Sequence, residues 1–310
     1  MIGSHKKLME KADLQLSELT TDGGALVPGQ AQRFIRTLIN ESVLLKMVRV
    51  APMRQNKEEL PKTRFTTNVL QPGQPGVALA VGERSKLALS KVELSTELLK
   101  AEVRLQREQL EDNIERSRFL NTVMELMKEQ VSLDLESLVI KGDTASGATP
   151  LLRVLDGILK QSTSNATPVA GSTSTTTWNT MFKAMPVNFL RRKPTMKFLT
   201  SIDSETDYRL SFGQRETDRG DGRIEDDTPI RFRGIPILGI PEWPEDYGGA
   251  NTTAPILTDP KNIVLGIQRN ITMESDKDIS SGELIIVMHM RVDVKFEEET
   301  ATVKGTGVTV

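Results

Sequence analysis

The chain has no cysteine. That one absence removes disulfides, thiolate metal sites and cysteine nucleophiles, and it suits a reducing compartment. Histidine is nearly as scarce, at two in 310 residues. His5 falls in a charged leader and His289 on the polar face of a strand-like run, so they are too far apart to build a His/Cys zinc site. A Ser-His-Asp triad would have only His289 to use, no G-x-S-x-G precedes a helix, and His289 reads as an ordinary strand residue. H-E-x-x-H, a zinc motif, is absent, and so are the P-loop and G-x-G-x-x-G, which excludes phosphate cradling by those two routes. Aromatic residues make up 4% of the chain, leaving few rings for stacking on bases or sugars. Lys+Arg 40 against Asp+Glu 42 gives a net charge of -2, with no bulk field for nucleic acid or an anionic membrane. Apolar runs are a few residues long, far below the roughly 20 that span a bilayer. The leader MIGSHKKLMEKADLQLSEL has lysines but no apolar segment after them, so it is no secretory signal. No internal repeat is visible.

What is present is length enough for about two domains and a sizeable core. The chain is organised around residues 112–142, where Leu120, Val123, Met124, Met127, Val131, Leu135 and Leu138 recur at helical spacing. Arg118, Glu125, Lys128, Glu129, Ser132 and Glu136 take the opposite face. Asp112 with Glu115 has the form of a capping box, and Gly142 stands where a left-handed C-terminal residue is wanted. The spacing predicts a rod of roughly 40 Å, a spine on which other layers lie.

Before the spine, residues 4–19 read as a short charged helix, 20–30 as a Gly/Pro-punctuated extended segment and 29–41 as a second short helix. Residues 42–53, SVLLKMVRVAPM, complete a region without a core of its own, an arm laid across something else. Residues 57–95 hold two strand-like halves around QPGQPG, which predicts a long projecting hairpin. Leu99, Ala101, Val103 and Leu105 alternate with Lys100, Glu102, Arg104 and Gln106, a half-buried strand. After the spine, residues 161–177 read as a Ser/Thr-rich linker without a packing signal. RFRGIPILGIP reads as one strand. The run from Leu284 to Glu297 alternates strictly, with Leu284, Ile286, Met288, Met290, Val292, Val294 and Phe296 on one side. ATVKGTGVTV adds a last short strand.

Candidate chemistry is thin. Asp218, Asp221, Glu225, Asp226 and Asp227 form an acidic loop, but Gly220 and Gly222 fall where an EF-hand needs side-chain oxygens, so it reads as solvated. Arg219-Gly220-Asp221 is an adhesion tripeptide by letter only, and Arg191-Arg192-Lys193 reads as a basic helix end. No catalytic, cofactor-binding or metal residue is expected.

In this order the segments resemble the major capsid protein of tailed bacteriophages, the Hong Kong 97-type shell fold. Thr20-Thr21-Asp22-Gly23-Gly24-Ala25-Leu26-Val27-Pro28 is similar to the family's Gly-Gly-x-Leu-Val-Pro start of the N-terminal arm. SVLLKMVRV at 42–50 is similar to the arm's return, and Gly82-Glu83 followed by LALSKVELSTELLKAEV resembles the descending half of its extended loop. ESLVIKGD at 136–143, with Gly157-Ile158-Leu159, resembles the spine exit and the start of the axial domain. Gly234-Ile235-Pro236-Ile237 and the strand from Glu283 to Glu299 fit the second half.

The resemblance implies an α+β fold with an N-terminal arm (1–56), an extended β-hairpin loop (57–95), a peripheral domain (96–150 and 263–310) carrying spine helix 112–142, and an axial domain (151–262). It implies a non-enzymatic shell subunit forming hexamers and pentamers that close into an icosahedral head around double-stranded DNA. Implied partners are further copies of the chain, a separate scaffolding protein, a portal, a decoration protein and packaged DNA on the inner face, with no membrane. Its place would be the virion, and the host cytoplasm during assembly. Some members form a Lys–Asn cross-link; Lys62 and Lys86 lie in the loop, but no Asn follows Asn270 and no motif fixes a partner, so none is expected. Two alternatives stand beside this reading: an encapsulin-type compartment holding enzyme cargo, and a metal-dependent hydrolase using Asp218, Asp221 and Asp227.

Overall fold

The computed structural model describes residues 42–65, 68–73, 76, 78–82, 84–106, 119–145, 149–213, 229–268, 272–278 and 280–310. The expected helices at 4–19 and 29–41, the segment 20–30, the Asp112–Glu115 cap and the 218–227 loop lie outside them.

The spine is helix α1, Phe119–Lys141, about 34 Å long at 1.5 Å per residue. Met127, Leu135 and Leu138 are buried, as the periodicity requires. Ser132 and Glu136, expected on the outer face, are buried as well. The reason is tertiary: the last turns are covered on a second side by residues 42–48, so Val139 and Ile140 are also fully enclosed. Gly142 is not left-handed. Its constraint is close packing, since a Cβ there would lie 2.5 Å from the Leu155 carbonyl oxygen.

Strand β1, Arg49–Met53, runs parallel to β11, Ile263–Gln268, and Leu44, Leu45 and Val48 enter the main core. The expectation of an arm without a core of its own therefore fails for 42–53, which pack within the chain's own fold. The long strand β13, Glu283–Phe296, is central to this first sheet. It pairs antiparallel with β4, Glu97–Gln106, with β12, Thr272–Asp278, and with β11. All seven residues of its predicted apolar face are buried. They pack with α1 in one continuous cluster.

A second sheet has the order β5-β14-β10-β6-β8-β7, with β9 also on β14. Its strands are β5 (Ala166–Ser172), β6 (Lys197–Thr200), β7 (Arg231–Phe232), β8 (Ile235–Gly239), β9 (Thr252–Thr253), β10 (Ile256–Thr258) and β14 (Val303–Thr309). Two expectations are corrected here. The Ser/Thr-rich stretch 161–177 is no linker: it contains β5, parallel to β14, and its end starts helix α3, Thr175–Ala184, behind the Ser174 capping box. RFRGIPILGIP is two strands, turned by Arg233 (φ 51°) and Gly234 (φ 87°). The final strand, expected with 263–310 in the unit of the spine, belongs to this second sheet.

The few aromatic residues are concentrated in this sheet's core. Trp178 meets Phe198 edge-on at 5.0 Å and Tyr208, on helix α4 (Ile202–Gly213), at 5.8 Å. Each buried ring contributes about 2–3 kcal/mol by removal from water, and each edge-to-face pair roughly 0.5–1.5 kcal/mol more. A chain with little aromatic content thus concentrates it between this sheet and helices α3 and α4.

Candidate assembly surfaces

Strands β2, Lys57–Phe65, and β3, Leu87–Ser95, pair antiparallel along their whole length, Lys57 opposite Ser95 and Phe65 opposite Leu87. Odd-numbered residues of both strands share one face and even-numbered residues the other. At the base the even face is apolar: Leu60 packs on a small cluster of Met53, Leu94 and Val264. The odd face begins with ion pairs, Lys57 to Glu93 at 3.4 Å and Lys91 to Glu59. Towards the tip it turns apolar, with Phe65, Leu87 and Leu89 exposed, Leu89 at 79%. Leu70 and Val81, in the connecting segment, are exposed too, Leu70 at 91%. The tip region contains Gly76 at φ 81°, which fits the Gly/Pro chemistry read from QPGQPG. An apolar surface of this kind, on a two-stranded projection, is a mark of an interaction site.

The hairpin is held firmly at its root. The Ser95 N–H donates to Asp293 Oδ2 at 2.7 Å, and the Thr96 hydroxyl donates to Asn56 Oδ1 at 2.6 Å. Lys62 Nζ pairs with the Glu298 carboxylate and donates to the Glu297 carbonyl at 3.2 Å. Asp293 sits on the predicted polar face of β13 yet is 4% exposed. Burial pushes its carboxyl above the ordinary range, against the lowering effect of the Ser95 N–H. The periodicity of β13 held no sign of this, because the covering group comes from the hairpin root.

The spine exit is the other tightly built junction. Glu136 Oε1, 2% exposed, accepts the Leu44 N–H at 2.5 Å and so straps 42–48 onto α1. Lys160, in the short helix α2 (Ile158–Gln161), pairs with Asp143 and, at 3.0 Å, with Asp156. Lys160 and then the Ala145 N–H lower the Asp143 carboxyl, while that of Asp156 is lowered, against the opposing effect of burial, by the Thr144 N–H and then by Lys160. Lys304 is 7% exposed and donates to the Leu159 carbonyl at 2.9 Å; burial lowers its ammonium group.

His289 is half-buried on β13 between Thr272 and Lys100, ordinary strand positions. His5 and the carboxylates Asp218, Asp221 and Asp227 lie outside the described residues. Among the described residues no group of three metal-ligating side chains converges, and no helix is long and apolar enough to cross a membrane. Arg191, Arg192 and Lys193 lie on a 3-10 turn, Phe189–Thr195, with both arginines exposed.

No protein-family model matches the chain. A prophage protein of Bacillus subtilis (strain 168), YqbE, provisionally named a capsid protein, is 37% identical over 306 residues, 97% of each chain. Among solved structures, a chain of the satellite phage P4 procapsid with its size determination (Sid) protein has a TM-score of 0.69 at 14% identity, covering 100% of this chain and 99% of that one. The holo-SrpI encapsulin complex from Synechococcus elongatus PCC 7942 has a TM-score of 0.54 at 11% identity, over 86% and 87% of the two chains.

Proposed function

The chain belongs to the phage capsid protein family, and we propose that it is the major shell subunit of a tailed-phage head, assembling as hexamers and pentamers around double-stranded DNA. The observation that carries this reading is the relative at 37% identity along almost the whole chain, since two such chains share more than a fold. The structure adds physical support. A rooted hairpin with an apolar outer face has no covering partner among the described residues, and a second copy would bury that face.

The mechanism is mechanical. Helix α1 acts as a rigid strut, the extended loop 57–95 lies on an adjacent subunit, and a unit of 151–262 with the closing strand β14 packs around the capsomer centre. Residues 96–150, with 42–56 and 263 to about 302, form the peripheral unit that carries the spine, and the residues ahead of 42 form the arm. Maturation is a rigid-body rearrangement between two packings of these interfaces. The shell is held without covalent ladders: Lys62 Nζ is engaged by Glu298 and by the Glu297 carbonyl, which supports a non-covalent role for it. A separate scaffolding protein, a portal and a decoration protein complete the head, and DNA lies on the inner face without sequence-specific contacts. The subunit resides in the virion and, during assembly, in the host cytoplasm.

The encapsulin likeness, at a TM-score of 0.54, favours a second reading, a compartment around enzyme cargo. Nuclease treatment of particles purified from the native host separates the two. Protected double-stranded DNA is expected; particles filled with a stoichiometric foreign enzyme and no DNA would overturn the phage reading.

A further inference from the structure

Strands β6 and β8 run parallel, Phe198 beside Ile237 and Thr200 beside Gly239. Among the described residues their two ends carry opposite charge. At the amino end, the turn before β6 brings Arg191, Arg192 and Lys193, and the β7–β8 turn brings Arg231 and Arg233. Arg233 and Lys193 both stand over the Phe182 ring, at 5.2 and 5.7 Å, which ties the two turns and the end of α3 into one surface with Lys183. Among the described residues none of these six cations is ion-paired. Asp259 is close by, but its carboxylate accepts the Thr195 hydroxyl and the Lys261 N–H. Val187, 78% exposed, supplies an apolar contact on this side.

At the carboxyl end, Asp203 opens α4 and the loop after β8 brings Glu245 and Asp246. Glu245 accepts the Asp203 N–H; burial and the repulsion of Asp203 and Asp246 raise its carboxyl. Among the described residues the cations on this side are already used, Arg209 by Glu205 and Lys141 by Glu242. Ile202, 44% exposed, is the apolar contact here. The five residues of β8 separate the two charged surfaces by about 16 Å.

We infer that the basic end of this second-sheet unit docks on the acidic end of the same unit in the next copy of the chain, head to tail around the capsomer. This rests on the shell reading above and names the surfaces that meet. Identical ends repel each other, so a two-fold dimer through either one is disfavoured, whereas unlike ends make a heterologous contact that closes into a ring. A net charge of -2 and an acidic counterpart on the same unit favour a second copy over nucleic acid as the occupant of the basic end.

The test uses the full chain in three forms: Arg191→Glu with Arg192→Glu, Asp203→Lys with Glu245→Lys, and all four together. Ring and shell yield is read by sedimentation and electron microscopy, and folding by circular dichroism. Each single-end reversal should cut assembled material roughly tenfold or more, because it sets like charges face to face, and the four-fold variant should recover it. The recovery also shows that the variants fold. Normal assembly by both single-end variants overturns the inference, as does failure of the four-fold variant to recover. Normal shells from the basic-end variant that no longer retain DNA would overturn it in favour of a nucleic-acid surface. If the wild-type chain forms no rings or shells, alone or with its head proteins, the shell reading itself falls and takes this inference with it.

Discussion

The Gly157 N–H donates to the Gly142 carbonyl at 2.8 Å, locking the spine exit against the start of the next unit. A Cβ on Gly142 would stand 2.9 Å from the Gly157 nitrogen, and one on Gly157 would stand 2.7 Å from the Gly142 nitrogen. The obstructing atoms are backbone, which cannot turn aside as a side chain can. Gly142→Ala and Gly157→Ala should each cost about 3 kcal/mol, at the upper end of overpacking penalties. Urea unfolding checks this, and an alanine variant with wild-type stability would contradict the close packing.

Glu136 is the corresponding strap on the other side of α1. Glu136→Ala leaves the buried Leu44 N–H without an acceptor, a loss of about 2–3 kcal/mol. The loss should be local at first: amide exchange at Leu44 and Leu45 accelerates while that of β13 is unchanged. Uniform acceleration across the chain would show that the contact is not a discrete strap.

Two aspartates near the ends of β13 titrate in opposite senses. Asp278 accepts hydrogen bonds from Ser280 and Ser281, which hold its carboxyl down at about 2. Its contribution is present above the ordinary value of 3.8 and is lost as pH falls through about 2. Asp293, raised mainly by burial, binds its proton more tightly in the fold. Its contribution is complete below 3.8 and is lost as pH rises through the folded value. Carboxyl NMR titration should give midpoints on either side of 3.8, and coincident midpoints would contradict the two environments.

On the proposed reading the hairpin tip acts between subunits. Deleting Val69 to Ala80 should leave a soluble, folded chain and abolish closed shells. Leu87→Ser with Leu89→Ser should leave unfolding within about 0.5 kcal/mol of wild type, since both side chains are exposed. Both variants are read by thermal unfolding and particle counts. Shells of normal size from the deletion would contradict the assignment of the loop.

Legibility in the sequence followed how local the cause was. β13 and β4 were readable because alternation records burial on one face, and the spine because its apolar positions recur at helical spacing. Ser132 and Glu136 were misplaced because the covering layer, residues 42–48, lies some 90 positions away in the chain. β5 was missed because ATPVAGS has little apolar content, and its strand state is imposed by pairing with β14. Gly142 was correctly marked as special for an incorrect reason, since a close approach leaves no more local trace than a left-handed turn does. The charged ends of β6 and β8 could be read only in part: Arg191-Arg192-Lys193 stands out, but Arg233, Asp203 and Glu245 are gathered by the fold.

The most direct test of the account is electron microscopy of the purified wild-type chain, expressed alone and with the proposed scaffolding protein, beside its sedimentation profile. Closed particles tens of nanometres across, or rings of six and five subunits, are the expected result. A chain that stays monomeric in both preparations and exposes the same hairpin face without ever burying it would contradict the shell-subunit account.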